Sequence, residues 1–131
     1  MFNKRTRVLR SAINGAMFAL VVVGAIGSAS AQVAPRSFVA SPDVYKVIAE
    51  NDQYLVIEVT WKPGQRDQFH SHPVAAGYWL TDCAVRVYEP NGTSQESSRT
   101  MGRAFVQSPI ASHSFENIGK ADCRVIMFEP K

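Results

Sequence analysis

Acidic side chains are missing from the first 31 of the chain's 131 residues, which carry Lys4, Arg5, Arg7 and Arg10 and then an apolar run from Ala16 to Ile26. A basic start, a short apolar stretch and Ser28-Ala29-Ser30-Ala31 are the three parts of a secretory signal. They predict a signal peptide over residues 1–31, cleavage after Ala31, and a periplasmic or secreted protein. The apolar run is shorter than the roughly 20 residues that a spanning helix needs, so no membrane association is expected once the signal is gone. No Arg-Arg pair marks twin-arginine export, and no cysteine follows the site to accept a lipid.

Basic runs are absent after that point. Four of the 14 basic residues and none of the 11 acids lie before Gln32, leaving ten basic and eleven acidic residues and a net charge of −1 from Gln32 onward. The surplus of positive charge belongs to the leader, and nucleic acid is not expected as a partner. Helical periodicity is also lacking. No segment beyond residue 32 repeats its apolar residues every 3.6 positions over a useful length, and only Val44 to Glu50 is ambiguous, its β-branched content favouring strand. Nor is there a nucleophile elbow or a Ser-His-Asp arrangement.

What remains is a period of two. Leu55, Ile57, Val59 and Trp61 alternate with Tyr54, Val56, Glu58 and Thr60, and Lys62-Pro63-Gly64-Gln65 then turns the chain. Further strands are expected at Gln68 to His72, Val74 to Leu80 (apolar throughout, as if covered on both sides) and Cys83 to Glu89. Pro90-Asn91-Gly92 supplies a hairpin turn, which explains Asn91-Gly92-Thr93 without invoking glycosylation. A weak strand in Thr93 to Thr100, short strands at Ala104 to Gln107 and Ser112 to Asn117, and a last strand from Cys123 to Glu129 complete the pattern. Many short strands with turn residues between them indicate an all-β, antiparallel sandwich or barrel. Gln32 to Gln53 reads as a lead-in with a first strand, and Tyr54 to Lys131 as one small domain.

The two cysteines, Cys83 and Cys123, would meet an oxidising compartment after export. A disulfide between them would close a loop of about 40 residues and add roughly 3–4 kcal/mol. Two buried thiols acting as small apolar residues are the alternative.

The three histidines are His70, His72 and His113. At H-x-H spacing in a strand, His70 and His72 emerge on one face, and two imidazoles on one side begin a transition-metal site. Asp67 and Glu116 each lie three residues from a histidine, which places them on the opposite faces of their strands. Of Tyr78 and Trp79, one is expected inside and the other outside. Apolar packing accounts for Phe105, Phe115 and Phe128. Arg86 and Arg103 have the geometry to pair with a carboxylate, but surface solvation suffices for both.

Gly64-x5-His70-x-His72 resembles the opening of the first motif of the cupin superfamily of small β-barrel jelly rolls. Gly102, Pro109, His113 and Asn117 follow in the order of the second motif, with His113-x3-Asn117 at the family's spacing. The resemblance covers Tyr54 to Glu129. It implies a cupin barrel in which His70, His72 and His113 bind one divalent metal (Fe, Zn, Ni, Cu or Mn), with Pro109 and Asn117 shaping the segment that carries the third ligand. Three departures stand out. Ala76 and Gly77 occupy the positions of the family's glutamate ligand, Cys83 replaces the closing glycine, and Ile110 replaces a glycine of the second motif. The pattern without glutamate is similar to that of three-histidine cupins, among them thiol and diketone-cleaving dioxygenases with non-haem iron. It also resembles that of small exported cupin-like proteins without an assigned reaction.

The expectation is therefore a metal or small-molecule binding module, with a dioxygenase-like enzyme acting on a small anionic or thiol substrate as the other reading. Three neutral histidines would leave the metal's full divalent charge uncompensated and favour anionic ligands. Homodimers are common among such barrels, although nothing in this sequence marks one.

Overall fold

A computed structural model describes residues 33–131; the signal predicted over residues 1–31 lies outside the described residues. Nine strands follow one helical turn, α1 (Ser37–Ala40): β1 (Tyr45–Glu50), β2 (Tyr54–Trp61), β3 (His70–His72), β4 (Ala75–Trp79), β5 (Cys83–Tyr88), β6 (Ser94–Arg99), β7 (Ala104–Gln107), β8 (Ile110–Asn117) and β9 (Cys123–Pro130). They form a five-stranded sheet in the order β1-β2-β9-β4-β7 and a four-stranded sheet in the order β3-β8-β5-β6. Every pairing between these strands is antiparallel.

The alternation read from β2 is the alternation found. Leu55, Ile57, Val59 and Trp61 are buried, and their neighbours on β9 send Cys123, Val125, Met127 and Glu129 to the same interior. Val85 of β5 and Phe115 of β8 close the core from the other sheet. Burial of each such aliphatic side chain stabilises the fold by about 1.5–3 kcal/mol, which makes the seam between the sheets the main source of stability. The Cys83–Cys123 disulfide crosses that seam, linking the start of β5 to the start of β9 with the Cα atoms 5.3 Å apart. Gly92, at φ 87°, turns the β5–β6 hairpin through a backbone conformation that an L side chain resists.

Several expectations need correction. Phe128 is 48 % exposed, not packed in the core. On β9 the odd-numbered positions face inward, so Phe128 points out, between Val56 of β2 and Ala76 of β4. The stretch from Val74 to Leu80 is covered on one side only: Trp79 is buried and Tyr78 exposed, as one residue of that pair had to be, and Val74 is exposed as well. The strand expected from Gln68 shrinks to His70–His72, because Asp67 and Gln68 are held by other bonds. The last expected pair of strands is longer than predicted, with β8 starting at Ile110. The polar segment after Thr93 forms a full strand in register with β5 from Cys83↔Arg99 to Tyr88↔Ser94. As an edge strand, it gains from polarity a protection against pairing with other chains.

Candidate metal centre

β3 and β8 are antiparallel neighbours, and His70 lies directly opposite His113. His72, two residues on, shares the face of His70, and the register shifts between them so that His72 pairs with Ile110. Their ligating nitrogens lie within 4.8 Å of one another. His70 Nε2 is 2.9 Å from His72 Nε2 and 3.1 Å from His113 Nε2. Nitrogens bound to one metal at about 2.0–2.1 Å sit about 2.8–3.4 Å apart in octahedral or tetrahedral geometry, so these two spacings fit a shared ion.

The protons argue the same way. His70 Nδ1 is 2.8 Å from the Gln68 carbonyl oxygen, which can only accept, so Nδ1 carries the hydrogen. His72 Nδ1 donates to Glu129 Oε1 at 2.5 Å. In a neutral imidazole the other nitrogen then holds a bare lone pair. The two Nε2 atoms approach to 2.9 Å, a separation that a shared proton or a shared metal ion accommodates. Burial and the nearby rings of His70 and His72 hold His113 at about 3, far below an ordinary histidine. Burial also lowers His70, against the opposing pull of Asp67 and the Gln68 carbonyl. Converging and desolvated, with His70 and His113 held neutral, these rings suit a transition metal.

Behind the rings lies a shell of polar groups. Asp67 is buried, which overturns its placement on the outer face: it precedes β3, where strand alternation does not apply. Its Oδ2 accepts from the Tyr45 hydroxyl at 2.8 Å and from Trp61 Nε1 at 2.9 Å, and its Oδ1 accepts from the Phe115 amide at 2.6 Å. Asp67 approaches His70 Nδ1 only to 3.6 Å, so it supports the site without joining the nitrogens. Tyr45 brings its oxygen to 3.1 Å from His70 Nε2. Burial, reinforced by Asp67, pushes the phenol well above its usual value and keeps it protonated.

Glu129 is fully buried at the end of β9 and accepts from Arg36 Nη2 at 2.7 Å as well as from His72. Burial pushes this carboxyl up, but the bonds from His72 and Arg36 outweigh it and hold the group below its ordinary range. Asp67 and Glu129 together correct the expectation of an uncompensated divalent charge: two carboxylates stand one side chain behind the ligands, with Arg36 balancing one of them. Carboxylate–histidine pairs of this kind fix the ring and raise its basicity.

Gly77 has no room for a side chain. Gly77 faces the interior, and a Cβ placed there would lie 2.3 Å from Phe105 Cζ. The Phe105 ring fills the space that a side chain from Gly77 would use. Asn117, also expected to shape this region, donates to the Trp61 and Ala121 carbonyls and accepts from the Gly119 amide, closing the turn from β8 to β9. Pro109 sits in the two-residue link that leads into β8.

The other charged positions belong to the chain's own framework. Glu116 points away from the histidines but is not simply solvated: it accepts from the Tyr88 hydroxyl at 2.5 Å and pairs with Arg86. Arg86 also pairs with Glu96, which leaves it no free guanidinium edge for a ligand.

Two results are expected from these contacts. Glu129→Gln keeps an acceptor for His72 but removes the charge facing Arg36, and it should weaken metal affinity about 10–100-fold in a chelator competition. An unchanged dissociation constant would deny Glu129 this role. Metal-free protein should lose stability as pH falls below about 6.5, where unfolded chains protonate their histidines while folded His70 and His113 resist. The unfolded state then binds more protons, so stability declines toward acid, His113 contributing down to about 3. Melting temperatures from pH 7.5 to 4 check this; a flat profile would contradict it.

No family model and no curated protein matches this sequence. Solved structures do match. A cupin domain from Bordetella pertussis Tohama I superposes with a TM-score of 0.61 at 21 % identity, over 67 % of this chain and 92 % of that one. A protein with a double-stranded β-helix domain from Klebsiella pneumoniae gives 0.52 at 20 % identity, over 66 % and 76 %. A cupin superfamily protein from Desulfitobacterium hafniense gives 0.50 at 10 % identity, over 66 % and 75 %. With two antiparallel sheets closed around a histidine cluster and these likenesses in backbone, the chain has the cupin fold.

Proposed function

We propose that the protein is exported and binds one divalent transition metal through His70, His72 and His113, and that its barrel interior receives a small-molecule ligand beside that metal. The observation that carries the reading is the convergence of three imidazole nitrogens, His70 Nε2 lying 2.9 Å from His72 Nε2 and 3.1 Å from His113 Nε2. Export is supported by the basic, apolar and small-residue sequence of the leader, and by a Cys83–Cys123 bond suited to an oxidising compartment.

A bound metal of this class would supply a Lewis acid with positions left over for a ligand. The chain's own residues do the rest. Glu129 and the Gln68 carbonyl set the tautomers of His72 and His70, and Asp67 anchors the Tyr45 phenol near His70. Imidazole nitrogens bind Fe, Zn, Ni, Cu and Mn alike, with intrinsic affinity rising from Mn to Cu, so the ligand set by itself does not select among them.

Turnover is the second reading, of the non-haem dioxygenase type, and one observation favours it: the interior cavity reaches His72 and His113, leaving the ligand nitrogens open to a substrate. Metal analysis combined with oxygen uptake separates the two. Protein loaded with Fe(II) is offered a panel of thiols and 1,3-dicarbonyls. One metal per chain with no oxygen consumption identifies a binding module, whereas consumption abolished by His70→Ala identifies an enzyme. Protein that retains no more than trace metal after reconstitution removes both.

A further inference from the structure

Six arginines lie among the described residues. Arg36, Arg86 and Arg124 pair with carboxylates of the chain itself. Arg66 donates to Ser114 Oγ at 2.8 Å and lies over the Tyr88 ring, its guanidinium carbon 3.6 Å from the centroid. Arg66, Arg99 and Arg103 have no carboxylate partner among the described residues, and Arg99 donates from Nη1 to the Ser98 carbonyl at 3.2 Å; what sets Arg99 and Arg103 apart is their position. Both line the cavity of about 620 Å³ that extends to the histidines.

The remaining walls suit a particular chemistry. Arg99 pairs in register with buried Cys83, which turns it toward the interior, and its guanidinium carbon is 5.8 Å from the Trp79 ring centroid. Trp79 in turn stands 5.7 Å from Phe105 and stacks at 6.4 Å on Phe115, giving a flat aromatic wall. Gln107 Nε2 is buried in the same wall without a hydrogen-bond partner among the described residues, a donor awaiting an acceptor. Glu89 is the one carboxylate in the lining and forms no ion pair with either arginine.

We propose that this cavity binds an organic monocarboxylate with an aromatic or flat apolar body. The guanidinium of Arg99, seconded by Arg103, takes the carboxylate, and the body lies against Trp79, Phe105 and Phe115. The volume lies within the usual range for a small-molecule site, and a planar fork of donors matches a carboxylate better than any neutral group. The assignment rests on the metal-site reading in that it names the ligand class of the same interior.

The test uses 3-phenylpropionate and its neutral amide, 3-phenylpropionamide, titrated calorimetrically into the purified protein with and without Zn(II). The acid should bind at least about 10-fold more tightly than the amide in both forms, as a charge-assisted bond requires. Arg99→Gln should remove that preference, leaving the affinity for the amide and for Zn(II) within about 2-fold of the parent. Failure of both compounds to bind, equal binding of the two, or a preference that survives Arg99→Gln combined with Arg103→Gln overturns the proposal. A preference seen only with Zn(II) and indifferent to both substitutions gives the carboxylate to the metal and overturns the role of the arginines. Should the protein prefer the acid through Arg99 yet bind no Zn(II), the carboxylate site stands and the metal centre falls.

Discussion

Replacing Cys83 and Cys123 together by alanine should lower the stability of the fold by about 4 kcal/mol. The bond closes a loop with a sequence separation of 40 residues, and the entropy that such a loop loses in the unfolded chain sets that scale. Its placement adds to the effect. Both cysteines lie in the core, and the bond joins the two sheets at the starts of β5 and β9, beside the hydrogen bonds that link Thr81 to Asp122 and Arg124. A domain of this size has a total stability of about 5–15 kcal/mol, so the loss is a large share of the whole. The melting temperature should drop by roughly 15–30 °C, and reductant should do the same to the parent protein. A double variant within 1 kcal/mol of the parent would mean that the seam between the sheets is stable without its covalent link.

Asp67→Ala should be comparably damaging, and for a reason that no strand pattern announces. Three donors converge on this carboxylate: the Tyr45 hydroxyl, the Trp61 indole and the Phe115 amide. Each buried donor left without an acceptor costs about 1–3 kcal/mol, so the variant should lose roughly 3–9 kcal/mol in urea denaturation. Asp67→Asn is the sharper control. Its oxygen can still serve one or two of the donors, but its NH2 must confront another, so only part of the loss should be recovered. Metal affinity should fall about 10–100-fold in either variant that still folds, because Tyr45 loses the partner that holds its oxygen 3.1 Å from His70 Nε2. If Asp67→Ala melts with the parent, the carboxylate is not the keystone that its contacts imply.

The legible parts of this protein are those governed by period two. The H-x-H spacing places His70 and His72 on one face, because a strand returns its side chains to the same side every second residue, whereas His113 is found through the resemblance to the second cupin motif. The same counting reaches Glu129, the next inward position after Cys123, Val125 and Met127, where a carboxylate on an apolar face is itself a signal. It also places Phe128 outside; reading that residue by its apolarity alone misplaced it. Asp67 and Arg36 are a different matter. Asp67 lies in the irregular segment between β2 and β3, and Arg36 reaches Glu129 from a position 93 residues away in sequence. Contacts of that kind depend on how the ends of the barrel fold over its core, which local pattern does not encode. Tyr45 is intermediate: β1 was readable as a strand, but its bulge between Val47 and Ala49 breaks the alternation that would reveal which way each residue points.

The most direct measurement is the anomalous scattering of crystals grown with one equivalent of Zn(II). A single peak about 2.0–2.1 Å from Nε2 of His70, His72 and His113 is the predicted result. Density spread over surface sites, with nothing among those three nitrogens, would contradict the metal centre on which the function rests.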